Sequence, residues 1–155
     1  CGTFDVRTDL GGGQVIGTAN DLDSFVAKYS GVNGAYIWAK TILGNNGSFA
    51  TAVKHDTSNN VLLTGYFQGT FNFVGQSLTS VLNSYDVYVA KYNSAGTLQW
   101  ARSFGGTGGD IGYGIAVASD GYSAVTGAMS GTGSYNGTTL TSQGALDMLL
   151  MRITP

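Results

Sequence analysis

Along residues 23–29, Phe25, Ala27 and Tyr29 fall on one face and Val26 and Lys28 on the other, which is the two-residue period of a β-strand. Strands of the same kind are predicted over residues 35–43, 49–54, 61–68, 86–92, 113–118, 122–130 and 147–153. Val, Ile, Tyr, Phe and Thr dominate these runs, and Gly, Asn, Asp and Ser fill the gaps. Residues 56–60 form one turn and Asp120-Gly121 the matching one; Asp-Gly between apolar strands signals a tight hairpin. No stretch of ten or more residues carries a helical period, and the glycine density would make helices costly.

The pattern repeats. Trp38 and Trp100 lie 62 residues apart, as do Gly65 and Gly127, while Asp23 to Asp86 is 63 and Asp86 to Asp147 is 61. Such self-similarity dictates a repeat architecture. The chain divides into a link hairpin (1–22), a first unit (23–85), a second unit (86–146) and the start of a third (147–155). Each unit holds four main strands. A variable link follows, with segments 71–74 and 77–80 expected to form a small extra hairpin, matched by 134–135 with 138–141 and by 3–6 with 14–17. The expected fold is all-β: propeller-type blades of four antiparallel strands in an open array of about two blades plus partial ends. A solenoid would have a shorter repeat, and a sandwich does not predict this self-similarity.

Composition narrows the setting. Charged residues are 10% of the chain, against a typical ~25%. Solubility must therefore come from hydroxyls and amides, and the 12% aromatic content predicts a packed core rather than disorder. Seven basic residues without a cluster argue against nucleic acid. No apolar run is long enough for a membrane-spanning helix. The single cysteine excludes an internal disulfide. Cys1 is read as a fragment edge, an intermolecular disulfide partner or a lipid-bearing residue. Residues 2–5 (Gly-Thr-Phe-Asp) look like residues 69–72 (Gly-Thr-Phe-Asn), so the array is expected to open in mid-repeat.

The run Asp86-Val-Tyr-Val-Ala-Lys-Tyr92, then Trp-Ala-Arg-Ser-Phe-Gly-Gly-Thr-Gly-Gly-Asp-Ile-Gly-Tyr-Gly-Ile-Ala-Val-Ala-Ser-Asp-Gly over 100–121, then Val125-Thr-Gly127, closely resembles the SBBP (beta-propeller) repeat. The first copy departs from that pattern, with Gly-Asn-Asn-Gly-Ser at 44–48 and no Asp opposite Asp110. The resemblance implies a propeller-type fold and a secreted or surface-attached protein, and it implies no catalysis. It also implies a phasing in which the strand at 114–117 is innermost and the Trp strand outermost. The chain would then hold two outer strands of one blade, one whole blade and three strands of the next. A closed propeller needs at least about four blades, so further blades of a parent chain, or other copies, are the expected partners.

Candidate chemistry is thin. The glycine loop 105–110 invites a phosphate-cradle reading, but no Lys-Ser/Thr or helix follows it. Asp110 and Asp120 are candidate Ca²⁺ ligands without the dense Asp-x-Asx-x-Asx-Gly spacing; Asx turns explain them more simply. Asp23, Asp86 and Asp147 each precede a base (Lys28, Lys91, Arg152) by five residues, which places the two on opposite faces of a strand. Recurrence suits architecture, since catalytic sites are singular. His55 is the sole histidine, at a hairpin end. Trp38, Trp100, Tyr29 and Tyr92 read as packing between blades. Asn46 and Asn136 head N-glycosylation sequons in loops. The expectation is a non-enzymatic, extracellular structural or adhesive module without a resident cofactor, self-assembling through open sheet edges into a filament where copies join head to tail. The alternative is a carbohydrate-binding module using Tyr113, Tyr122 or Tyr135. A third reading, a carboxylate-pair hydrolase, requires two of these aspartates in one cleft.

Overall fold

The computed structural model describes residues 1–18 and 21–155. Its strands run, from the N-terminus, β1 (Gly2–Asp5), β2 (Arg7–Asp9), β3 (Gln14–Ile16), β4 (Leu22–Tyr29) and β5 (Tyr36–Gly44). They continue with β6 (Ser48–His55), β7 (Val61–Gln68), β8 (Thr70–Asn72), β9 (Ser77–Thr79), β10 (Tyr85–Tyr92) and β11 (Leu98–Gly106). The last are β12 (Ile111–Val117), β13 (Ser123–Met129), β14 (Thr132–Tyr135), β15 (Thr138–Thr141) and β16 (Asp147–Ile153). One short 3₁₀ turn, Val81–Asn83, was not legible in the sequence pattern.

Among the described residues four sheets result, and every strand pairing in them is antiparallel. The central one is the meander β6-β7-β10-β11, with the β14–β15 hairpin joined to the β11 end at Gly105 and Gly106. The first is β1-β4-β5, with the β8–β9 hairpin joined to β5 at Leu43 and Gly44. The third is β12-β13-β16, and β2–β3 forms a two-stranded sheet of its own. The fold is thus all-β, with one four-strand meander between two sheets of three main strands.

Asx turns make the hairpins. Asp56 Oδ1 accepts the backbone N–H groups of Ser58 and Asn60, both at 2.9 Å, and Asn93 Oδ1 accepts those of Ala95 and Thr97 at 3.1 and 2.8 Å. Asp120 Oδ1 accepts Tyr122 N–H at 3.1 Å, with Gly121 supplying the left-handed backbone (φ 87°). The recurring Val/Leu-Thr-Gly strand has its own cause. A Cβ on Gly65 would lie 1.9 Å from the Phe49 carbonyl oxygen, and one on Gly127 would lie 2.0 Å from that of Ile111. At both places the partner strand carries a bulge, Ala50/Ala52 and Gly112/Gly114, that pushes its backbone inward.

The central sheet is buried on both faces. Leu63, Phe67, Tyr88, Ala90 and Tyr92 pack against Val26, Trp38 and Ile42 of the first sheet. Leu62, Val87, Val89 and Phe104 pack against Ile115, Val125, Leu149, Met151 and Ile153 of the third. For this reason β7 and β10 read as near-continuous apolar runs rather than alternating ones.

Three expectations at the N-terminus are corrected. Gly2 pairs with Phe25 and Phe4 with Asp23, just as Gly65 pairs with Tyr88 and Phe67 with Asp86. Residues 2–5 therefore stand in the place of 65–68, not of 69–72. The first unit contains two Gly-x-Phe stretches four residues apart, at 65–67 and 69–71, and letter similarity selected the wrong one. It follows that the extra hairpin is Arg7–Asp9 with Gln14–Ile16, not 3–6 with 14–17. The first sheet has three main strands rather than the two expected of the first blade, because β1 lines β4 on the side away from β5.

The hydroxyl of Tyr92 is buried in the first junction with no hydrogen-bond partner among the described residues. Tyr92→Phe keeps the ring that packs on Trp38 and removes an unpaired polar atom. Urea unfolding is expected to show a gain of about 1 kcal/mol; a loss of that size would mean that the hydroxyl has a partner.

Candidate functional site

The recurring aspartates sit where a loop enters β4, β10 and β16. Asp86 Oδ2 accepts the Val81 N–H at 3.0 Å, and Oδ1 accepts the Ser84 hydroxyl at 3.0 Å. Asp23 accepts the N–H of Thr18, five residues before it as Val81 is before Asp86, and also that of Gly44 at 3.2 Å. Asp147 accepts the Gln143 N–H at 2.6 Å. All three do the same structural work. Each carboxylate takes up loop donors at a sheet end.

Asp110 closes the glycine loop on itself. Its Oδ2 accepts Gly106 N–H at 3.0 Å, its Oδ1 accepts Ser130 N–H at 3.2 Å and the Tyr135 hydroxyl at 2.6 Å, and its own N–H donates to the Tyr85 carbonyl at 2.6 Å. Thr107 N–H is taken by the Thr132 carbonyl. The loop that invited a phosphate reading therefore spends the Gly106 and Thr107 donors inside the fold.

The structure brings two of the four aspartates together. A Cβ on Gly105 would lie 2.7 Å from Asp86 Oδ1 and 2.9 Å from Asp110 Oδ2, so both carboxylates close over the same glycine. Both are buried. Burial pushes the Asp86 carboxyl up to about 6; the bonds from Val81 and Ser84 oppose the rise, and the Asp110 charge adds to it. Burial also raises Asp110, against the bonds from Tyr135, Ser130 and Gly106, and raises Asp23 against those from Thr18 and Gly44. The Tyr135 phenol is pushed up by burial and by its bond to Asp110. Asp86 borders a recess with Arg102, Ser103 and Ser134, but Asp110 does not line it. A molecule in that recess would meet one carboxylate, whereas glycoside hydrolysis needs two in one cleft.

The other sequence candidates scatter. Asp110 and Asp120 lie before and after β12, at its opposite ends, and no group of three or more metal-ligating acids, histidines or cysteines occurs among the described residues. Asp120 is exposed and holds its own turn. His55 is exposed, its Nδ1 3.2 Å from the Asp56 carbonyl oxygen. Lys28 donates to the carbonyls of Asn59 and Ser94 at 3.2 Å, Lys91 lies 3.5 Å from Asp56, and Arg152 stacks 3.6 Å from the Tyr122 ring centre. Burial opposes the Asp56 charge, but the bonds from Asn60 and Ser58 and the nearby Lys91 outweigh it and hold this carboxyl below the usual range.

Among the aromatics, Trp38 and Tyr92 are buried in the junction, with Trp38 Nε1 donating to the Ser94 carbonyl at 3.1 Å. Trp100 is half-buried under the Arg102 guanidinium. Tyr135, expected as a loop aromatic for glycans, is instead buried on β14, because its hydroxyl is drawn to Asp110. Tyr122 is half-covered by Arg152, which leaves Tyr113 as the exposed member of that trio. Asn46 and Asn136 are exposed; their side-chain amides donate to Asn83 Oδ1 and the Arg152 carbonyl, and Asn136 has the left-handed backbone of a tight turn. Cys1 is exposed, with a free thiol.

Sequence reasoning missed Ser84, Gln76 and Tyr135 as polar partners. Gln76 binds both backbone groups of Ala101, at 2.6 and 2.9 Å, yet no Gln recurs at that place in the period, so nothing marked it. Tyr135 had a signal. In the preceding unit its place is held by Phe73 and that of Asp110 by Ser48, so hydroxyl and carboxylate change together.

Compared with known proteins, the chain matches no family model, and no curated protein matches its sequence.

Asp86 imposes a pH dependence. Its folded pKa of about 6 lies above the ordinary 3.8, so the native state holds this proton more tightly than the unfolded chain. Its contribution is complete below about pH 4 and is lost as pH rises through about 6, amounting to about 3 kcal/mol at most. Asp56 works in the opposite sense, but below pH 4. Urea midpoints are expected to fall between pH 4.5 and 7, and Asp86→Asn is expected to flatten that slope. An unchanged slope in the variant would assign the dependence elsewhere.

Proposed function

We propose that the chain is a non-enzymatic, extracellular structural or adhesive module built of β-propeller-type blades of the SBBP kind. One observation carries the reading. The aspartates that recur in each unit serve loops of the fold, with Asp23, Asp86 and Asp147 each accepting loop N–H groups. A residue kept at every period for backbone bonding supports a scaffold rather than a singular catalytic centre. The meander β6-β7-β10-β11, with β6 packed against both neighbouring sheets, supports the four-strand blade. The residues of 86–127 that resemble the SBBP repeat support the same reading and the secreted setting.

In this role the sheets act as a stiff stack. The stack holds short turns rich in Gly, Ser, Thr and Asn at regular intervals, and those turns form the presented surface. Stability should then be a sum over units and their junctions.

The test is to insert a second copy of residues 86–146 between residues 146 and 147. The enlarged chain is expected to unfold cooperatively, with a higher thermal midpoint and a larger urea m-value in proportion to the added buried surface. Loss of the cooperative transition would overturn the modular reading.

A further inference from the structure

We propose that the outer face of the β12-β13-β16 sheet docks a second copy of this chain, head to tail, against the outer face of that copy's β1-β4-β5 sheet. The proposal rests on the scaffold reading above and names the partner of its free surface.

The same contact is made twice inside the chain. One face of the first sheet covers one face of the central sheet, and the opposite face of the central sheet is covered by the third. Each sheet thus has a leading and a trailing side. On the central sheet the side that receives the third sheet carries Val87 and Val89, the first and third residues after Asp86. On the third sheet the same positions after Asp147 are Met148 and Leu150. Val87 and Val89 are 0% exposed, whereas Met148 is 85% and Leu150 67% exposed. Ala124 extends this surface in the place of the buried Leu62. Two large apolar side chains side by side on a strand, facing solvent at positions buried one unit earlier, mark an interaction surface.

The complementary surface is at the other end. Phe25, Ala27 and Tyr29 occupy the first sheet as Tyr88, Ala90 and Tyr92 occupy the central one, where they are buried in a junction. Tyr29 is 46% and the neighbouring Ile37 48% exposed. Ile37 and Trp38 are adjacent on β5, and Trp38 faces the central sheet, so Ile37 points away from it.

The base five residues after the recurring aspartate crosses the first junction only, since Lys91 on the central sheet pairs with Asp56 of its own sheet. Lys28 reaches across the first junction to carbonyls in the turns of the central sheet. Arg152 holds the same place on the third sheet, and on a second copy one of the matching turn carbonyls belongs to residues 30–34.

The β2–β3 hairpin points to a neighbour independently. Its counterparts β8–β9 and β14–β15 each pair with the outer strand of the preceding sheet, β5 and β11. Among the described residues β2–β3 pairs only with itself, on the side where a preceding sheet would stand.

A leading face on a trailing face is a heterologous contact. It propagates into a filament, or closes into a ring where the rotation allows.

Sedimentation velocity of the full chain over a concentration series tests this. The expected result is concentration-dependent growth past the dimer. Met148→Glu with Leu150→Glu spoils one face, and Tyr29→Glu with Ile37→Glu spoils the other. Each pair is expected to weaken association ~100-fold or more, because docking would bury unpaired charges. Circular dichroism and the thermal midpoint confirm that both remain folded. Mixing the two double variants is expected to restore a 1:1 dimer and nothing larger, since each retains one good face. A wild-type chain that stays monomeric overturns the proposal, and so does association that survives either double variant, which would locate it at another edge or face. Failure of the mixture to pair overturns it too. A monomeric chain that still gains stability from the inserted unit would overturn the docking alone and leave the scaffold reading standing.

Discussion

A β-sheet that is apolar on both faces cannot stand in water without a neighbour on each side. This constraint organises the molecule. In β7 and β10 the alternation expected of a half-exposed strand is replaced by almost continuous burial. Tyr88, Ala90 and Tyr92 belong to one junction, Val87 and Val89 to the other. At about 1.5–3 kcal/mol for each large apolar side chain removed from water, the two junctions rather than any single sheet hold most of the favourable energy. The first and third sheets are what the central one requires, and their own outer faces repeat the requirement.

Polar groups are arranged around that stacking. Loop N–H groups at the sheet ends are accepted by the recurring aspartates, in part-buried settings at Asp23 and Asp86 and in an exposed one at Asp147. The second junction adds a complication, because Asp110 is brought over Gly105 beside Asp86. There, two buried carboxylates share a region and one is raised into the mildly acidic range. At the corresponding place in the first junction, Ser48 and Ser24 share a hydroxyl–hydroxyl bond of 2.8 Å. Burial raises a carboxyl in both junctions, Asp23 in the first and Asp86 in the second, and the side chains beside them differ. The difference traces to Asp110 with Tyr135 in one and Ser48 with Phe73 in the other.

Much of the fold was legible before any coordinates. The main strands, the turns at 56–60 and 120–121, and the period near 62 all follow from local preferences that neighbouring residues set. The small hairpins at 70–79 and 132–141 were legible for the same reason. The N-terminal register was not. Gly2-Thr-Phe-Asp5 resembles two stretches of the unit, and only pairing with Asp23 and Phe25 separates them. The 3₁₀ turn at Val81–Asn83 was also hidden, because its left-handed Leu82 and Asn83 are imposed by the loop's anchoring at Asp86 and Ser84.

By itself the sequence determined that the chain is a strand-built repeat, and which side chains alternate on each strand, since both depend on residues a few positions apart. It also determined that Asp23, Asp86 and Asp147 play equivalent parts, because recurrence at one period needs no knowledge of contacts. Only the tertiary structure decided which face of each sheet is covered. The burial of Val87 and the exposure of Met148 reflect the presence or absence of a neighbouring sheet, not their own chemistry. It likewise decided that Tyr135 lies inside and that Asp86 meets Asp110. These contacts join residues 24 or 25 positions apart, and they depend on how one sheet's loops settle against the next.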